Sequence, residues 1–190
     1  MDKTYRNELR RLFLLEHLPE PLTRAAAHLQ IFDNYIEKTR LRLRNVRVPE
    51  TKNWTWILQQ RFAVSEDSTH WKIAEIYLNQ TEHELFERFE GREIRKNRYF
   101  YEADGKQIEI DVFLGKLWGL NLAKVHFETI EELRDFKLPF AALEVTTDEF
   151  FQGENLVEKT FAEVQTQAAK LIEIHHSKDT IINEIAKENE

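Results

Sequence analysis

The chain has 190 residues, 42% hydrophobic and 12% aromatic, with a net charge of −7; that length supports one domain with its own core and needs neither metal nor disulfide to fold. The absence of cysteine excludes disulfides, thiol nucleophiles, zinc ribbons and iron–sulfur ligation, and the acidic balance argues against a nucleic-acid coat or a duplex binder. Apolar runs reach four residues, as in Leu12–Leu15, against the ~20 of a membrane helix, and the first residues pass straight into charge without a secretion signal's apolar stretch, so a cytoplasmic protein with no membrane partner is expected.

Punctuation along the chain is sparse, with 5 glycines and 4 prolines, and Pro19 and Pro21 break the chain after its first apolar segment. Arg40-Leu41-Arg42-Leu43-Arg44 then alternates, which on a strand places three guanidinium groups on one face and two leucines on the other. Arg44, near the strand end, is expected outside any enclosed space. Thr81 followed by Glu84 reads as a capping box opening a helix with Leu85, Phe86 and Phe89 on its apolar side. Period two returns in Gln107-Ile108-Glu109-Ile110-Asp111-Val112 and in Lys124-Val125-His126-Phe127. Thr129 with Glu132 marks a second helix, with Ile130, Leu133 and Phe136 on its apolar side, before the alternation of Leu143-Glu144-Val145-Thr146. Beyond Gly153, Val157, Phe161, Val164, Ala168 and Leu171 recur at helical spacing, which predicts a long amphipathic helix from near Glu154 and a short one over Thr180 to Lys187.

One alternating strand is ordinarily a half-exposed strand with its polar side in water. Several strands with dense charge on that side, beside helices able to cover the other, predict a sheet wrapped around a charged lumen. The fold class is therefore α+β, an antiparallel closed barrel of about eight strands with helices outside. Residues 1–153 form the barrel, and residues 154–190 form a C-terminal helical extension packed on it. Guanidinium and carboxylate groups facing such a lumen suit a highly charged anion, with or without a metal.

These segments resemble the CYTH domain, or triphosphate tunnel metalloenzyme, family. Ile94-Arg95-Lys96-Asn97-Arg98-Tyr99 is similar to its I-x-K-x-R-Y strand and Ile110-Asp111-Val112-Phe113 to its I-D-x-F strand. Leu117-Trp118-Gly119-Leu120 resembles the L-x-G-L turn, and Leu138-Pro139 with Leu143-Glu144-Val145-Thr146 the P-x-x-x-x-E-V-T block. Asn34-Tyr35-Ile36 and Thr39-Arg40-Leu41-Arg42 resemble the Q-x-Y-L and V-R-I-R strands, with Asp33 where the glutamine would stand. Glu8-Leu9-Arg10-Arg11-Leu12-Phe13-Leu14-Leu15 resembles the signature strand, so the likeness spans residues 7 to 156.

The signature's E-x-E-x-K positions read Glu8, Arg10 and Leu12, and a second E-x-E pair is replaced by Lys124-Val125-His126. Trp56-Ile57-Leu58-Gln59 stands for a T-I-K lysine strand, and Glu75 alone remains of the following acid pair. In the family, basic tunnel residues hold a triphosphate while divalent cations bridge its oxygens to carboxylates; adenylyl cyclases, thiamine triphosphatases and inorganic triphosphatases share the scaffold. Carried onto this chain, the resemblance implies ligand binding by Arg10, Arg40, Arg42, Lys96, Arg98, Lys124 and His126. It leaves Glu8, Asp111 and Glu144 as catalytic candidates, and Glu8, Glu75, Asp111 and Glu144 as candidate metal ligands. Cations where oxygen ligands belong repel a metal ion and attract an anion. The favoured expectation is a tunnel binding a phosphorylated anion, a triphosphate, nucleotide or polyphosphate, with metal-dependent catalysis lost or altered and no cofactor assigned. The alternatives are a triphosphate hydrolase using Mg or Mn, and a non-catalytic scaffold whose C-terminal helix docks a partner. Trp54, Trp56, Trp71 and Trp118 read as packing residues, and the adjacent His175 and His176 point to different sides of a helix and so are not expected to share a metal.

Overall fold

A computed structural model describes residues 5–64, 66 and 68–188, with side chains described through residue 174; His175 and His176 lie outside the described side chains. Eight strands close into an antiparallel barrel: β1 (Arg6–Leu15), β2 (Leu29–Ile36), β3 (Leu41–Arg47), β4 (Trp54–Ala63), β5 (His70–Leu78), β6 (Gly91–Ala103), β7 (Lys106–Phe113) and β8 (Asn121–Phe127). Their order around the barrel is β1-β5-β4-β3-β2-β6-β7-β8 and back to β1. Closure is possible because β1 uses one edge for β8 and splits the other. Its first half pairs with β5 (Arg6↔Ile73), and its second half with the short β9 (Leu143–Glu144), where Phe13 faces Glu144.

The period-two pattern decides which side chains enter the lumen. Ile108, Ile110 and Val112 of β7 point outward and pack with Phe13, Leu15, Tyr99, Ala123, Val125 and Phe127 beneath Leu18 and Leu22 of the following loop and Leu133 and Phe136. The alternate residues Glu109 and Asp111 point inward. At one end the inward positions turn apolar: Leu12, Ile94, Phe113 and Leu122 meet Phe151, Leu156, Val157 and Val164 in a second core. The segment that carries Phe151 and Leu156, ending in α3 (Gly153–Leu156), therefore stoppers that end of the barrel. Its close approach needs a glycine, since a Cβ at Gly153 would collide with the Tyr35 hydroxyl.

Three helix expectations change. α1 (Gln80–Phe86) is capped by Asn79, which accepts from Glu82 N at 3.0 Å while the Glu82 carboxylate accepts from Asn79 N at 2.8 Å, so the box starts two residues before Thr81. Its expected apolar side stays in solvent, Leu85 being 57% and Phe89 52% exposed; the side chain it buries is His83, whose ring lies 5.3 Å from that of Trp56. The helix expected from Glu154 is interrupted, because Thr160 and Glu163 form a new reciprocal cap that opens α4 (Phe161–Glu188). α4 then runs unbroken through Thr180, so no separate second helix exists there. α2 (Ile130–Asp135) starts where the sequence indicates, with the Thr129 side chain accepting from Glu132 N, although Ile130 is exposed.

Candidate functional site

Register places the lumen's charges opposite one another. On β6 and β7, Arg98 faces Asp111; its Nε and Nη2 donate to the two carboxylate oxygens at 2.7 and 2.8 Å, and Lys96 Nζ donates to the same carboxylate at 2.7 Å. Glu109 faces Lys124 across β7 and β8, and its Oε2 lies 2.7 Å from both Lys124 Nζ and Arg98 Nη1 and 3.4 Å from His126 Nε2. Across β2 and β3, the fully buried Asp33 accepts from Arg44 Nε and Nη2 at 2.6 and 2.7 Å, with Arg42 at 3.4 Å and Lys96 at 3.8 Å. This wall is a lattice of carboxylates tied to cations.

The wall formed by β1, β3, β4 and β5 is different. Glu8 is 3.1 Å from Arg61 and 3.7 Å from each of Arg6, Arg10 and His126, one carboxylate among four basic groups. Arg42 donates to the Gln59 amide oxygen and to the Tyr35 hydroxyl, both neutral acceptors; Gln59 in turn donates to Glu75 at 2.5 Å. Arg10 donates to the amide oxygen of Gln152, which reaches into the lumen from the stopper. In place of further acids, aromatic rings support these arginines: Arg10 and Arg61 lie 4.4 and 5.2 Å from the centre of Trp71, Arg42 5.5 Å from Tyr35 and Arg40 5.2 Å from Phe62.

Taken together, the described side chains along the lumen, apart from the mouth at Arg40, include eight cationic groups (Arg6, Arg10, Arg42, Arg44, Arg61, Lys96, Arg98 and Lys124) against five carboxylates (Glu8, Asp33, Glu75, Glu109 and Asp111). The imbalance shows in their acidities. Burial alone would raise the carboxyl of Glu8, but Lys124, Arg61, Arg10 and His126 outweigh it and hold the group far below the usual range. Asp33, Glu109 and Asp111 are lowered in the same way, with Arg42 and Arg44, Arg98 and Lys124, and Arg98 and Lys96 overcoming burial. Burial acts on the cations without full compensation: it pushes Lys124 down to about 7, Lys96 to about 8 and Arg10 to about 9, with Glu109, Asp111 and Glu8 pulling the other way. Arg98 escapes, since Asp111 and Glu109 overcome its burial and raise it.

The lumen opens into two larger cavities that share Arg42 and Arg61. One, of about 360 Å³, is lined by Arg40, Arg42, Arg61, Trp71 and Gln152, with Glu149 and Glu154 at the stopper side. The other, of about 250 Å³, is lined by Arg6, Glu8, Arg44, Gln59, Glu75, Lys124 and His126. Between them only about 50 Å³ remains around Arg10, Lys96, Arg98 and Asp111.

Of the residues singled out in the sequence, Glu8, Arg10, Arg42, Lys96, Arg98, Asp111, Lys124 and His126 converge on the lumen, with Glu75 at the second mouth. Arg40 is at the first mouth rather than in the centre. Two placements are corrected. Arg44 lies inside, drawn in by Asp33. Glu144 lies outside, because on β9 it pairs with the outward-facing Arg11, whose Nε donates to Oε1 at 2.8 Å while Nη1 reaches the Leu133 and Phe136 carbonyls at the end of α2. Glu144 thus does not stand with the other catalytic and metal candidates in the lumen. Glu109, Arg61 and Gln152 are not among the residues singled out in the sequence; Glu109 shares the parity of Asp111, whereas Gln152 sits in a stopper with no periodic signature.

The carboxylates that the resemblance leaves as metal candidates are engaged by other groups. Both oxygens of Asp111 are engaged by Arg98 and Lys96, Glu8 is ringed by cations, Glu75 pairs with Gln59 and Arg6 at the far mouth, and Glu144 is outside. Among the described residues no three His, Asp or Glu side chains gather as a metal site.

A closed antiparallel barrel of eight strands with an added ninth, outer helices and a lumen of ionic side chains is an α+β tunnel fold. Two solved structures carry the comparison: one described as the hypothetical protein NE1496, 25% identical over 80% of this chain and 99% of that one at a TM-score of 0.54, and one described as the inorganic triphosphatase NE1496, 26% identical over 80% and 95% with the same TM-score. No family profile and no curated protein matches the sequence. Among the described residues no helix is long and apolar enough to cross a membrane.

Proposed function

We propose that the tunnel binds a phosphorylated anion through its own cations, with metal-dependent catalysis lost or altered. The observation that carries this reading is the excess of cationic groups over carboxylates in the lumen, most evident where Glu8 lies within 3.7 Å of Arg6, Arg10, Arg61 and His126 at once. A phosphate group entering there supplies the missing negative charge and accepts charge-assisted hydrogen bonds, the strong class of such bonds. Arg10, Lys124 and His126 stand where the resemblance places metal-binding acids, so their role is to neutralise phosphate oxygens directly. Arg40 and Arg42 receive the ligand at the first mouth, and Lys96 and Arg98 set the potential of the lumen from within their ion pairs.

The test is calorimetric titration with inorganic tripolyphosphate and ATP, each with EDTA and with Mg²⁺ or Mn²⁺, beside a phosphate-release assay. Binding that persists in EDTA with no metal-stimulated release supports the proposal. The solved neighbour described as an inorganic triphosphatase favours a second reading, hydrolysis of a triphosphate. Robust metal-dependent release abolished by Glu8→Gln would establish that reading instead.

A further inference from the structure

The larger cavity holds a feature that the phosphate-tunnel reading does not use. Trp71 is 3% exposed, its Nε1 donates to the Ser68 carbonyl at 2.8 Å, and its ring carries two guanidinium groups, those of Arg10 and Arg61. A guanidinium bound to a carboxylate spends N–H donors on that partner. One stacked on a ring is held by its face, and its in-plane donors remain for something else. Arg61 shows the consequence among the described residues, where its Nε is buried with no hydrogen-bond partner and its carboxylate contact is Nη2 to Glu8.

We infer that Trp71 is a positioning residue: by bracing Arg10 and Arg61 beside Arg42 it builds a metal-independent site for a compact inorganic polyoxyanion and denies that site to nucleotides. The inference rests on the phosphate-tunnel reading and names the ligand class within it. The selectivity follows from occupied ring faces. A nucleobase gains affinity by stacking on an open aromatic face, but Trp71 is enclosed beneath Arg10 and Arg61, Phe62 has Arg40 over it and the Tyr5 ring at 5.2 Å, and Tyr35 has Arg42. The stopper side of the cavity offers a base Glu149 and Glu154, which repel the phosphates of the same molecule. A short polyphosphate occupies the arginine side alone and leaves these acids in solvent.

The test uses the full chain carrying Trp54→Phe, Trp56→Phe and Trp118→Phe, so that emission reports Trp71, titrated with tripolyphosphate or ATP in EDTA and checked by calorimetry. A saturable change in Trp71 emission is expected with tripolyphosphate, and ATP binds at least about tenfold more weakly for want of a stacking surface. Arg61→Lys keeps the charge and loses the planar stack, lowering tripolyphosphate affinity about three- to thirtyfold. Trp71→Phe retains more affinity than Trp71→Leu, and Glu154→Gln, an exposed change, tightens binding. Should the Trp71 variants fail to fold, the Arg61→Lys and Glu154→Gln comparison stands without them. Calorimetric binding with silent Trp71 emission and no response to Arg61→Lys overturns this site and leaves the phosphate-tunnel reading intact. Equal binding of ATP overturns the selectivity, and no anion binding by calorimetry overturns both.

Discussion

The two walls of the lumen solve the problem of burying cations in opposite ways. On β6, β7 and β8, Arg98, Lys96 and Lys124 are tied to Asp111 and Glu109 by contacts of 2.7–2.8 Å. Across the barrel, Arg10, Arg42 and Arg61 rest on Trp71 and Tyr35 and reach the amides of Gln59 and Gln152, with Glu8 as the main acid. On the first wall Arg98 and Lys96 are neutralised from within and have little left for a ligand, and Lys124 is the member that a phosphate can draw away from Glu109. The second is only partly neutralised, by Glu8 beside Arg61 and Arg10 and by Asp33 at 3.4 Å from Arg42. Density of charge alone therefore does not locate a binding site; the identity of each cation's partner does.

The largest effect expected from breaking this contrast lies on the first wall. Asp111→Ala leaves Arg98 and Lys96 buried without their shared partner, a change that costs about 3–5 kcal/mol of stability, measurable by urea unfolding. Arg42→Ala on the second wall acts on binding: it removes charge-assisted hydrogen bonds worth about 1.5–3 kcal/mol of anion affinity, read by calorimetry. If Asp111→Ala spared stability, or Arg42→Ala left affinity intact, the two walls would not have the separate roles assigned to them.

Acidity sharpens the same contrast. Lys124 is lowered to about 7 and Lys96 to about 8, whereas both side chains titrate near 10.4 in an unfolded chain. Between those values the unfolded state holds protons that the folded state has released, so these groups make stability rise with pH from about 7 to about 10. Anion affinity moves the other way over that window, because the lumen loses positive charge. The lowered carboxylates Glu8, Asp33, Glu109 and Asp111 give stability that is present above about pH 4 and lost as pH falls through their folded-state values. Thermal melts and tripolyphosphate titrations at pH 6.5 and 9 should thus diverge. Parallel changes in stability and affinity would contradict the uncompensated burial of the lysines.

The barrel was legible because parity is a local property. Ile108 and Ile110 could only be buried on one side if Glu109 and Asp111 turned to the other, and the same argument held for Val125 and Phe127 against Lys124 and His126. Partners across the lumen were not legible, since nothing in Arg10 or Arg61 announces Trp71, and nothing in residues 149–157 announces a stopper that inserts Gln152 and two apolar side chains. Helix α1 failed for a related reason. Its apolar residues suggested a buried side, but the barrel surface beside it offers Trp56 to His83, and Leu85 and Phe89 stay in water.

The smallest expected effect concerns the residue whose position the sequence most misplaced. Glu144 stands in the stretch that resembles E-V-T and alternates with Val145, which suggests a lumen carboxylate. In the structure Val145 is the buried member, in the core at the stoppered end, and Glu144 is turned outward to Arg11. Its side chain is 39% exposed and that of Arg11 17%, so the carboxylate end of the pair is in contact with solvent and the pair contributes on the order of 1 kcal/mol. Glu144→Gln keeps an oxygen for the Arg11 and Thr146 contacts, and should lower stability by no more than that while leaving tripolyphosphate affinity and its pH dependence unchanged. Glu8→Gln, at the same net change of charge, should tighten metal-free anion binding, because it removes the one carboxylate that competes for Arg61 and Arg10. Equal consequences for the two substitutions, measured by parallel calorimetric titrations, would mean that inside and outside had been assigned wrongly at β9.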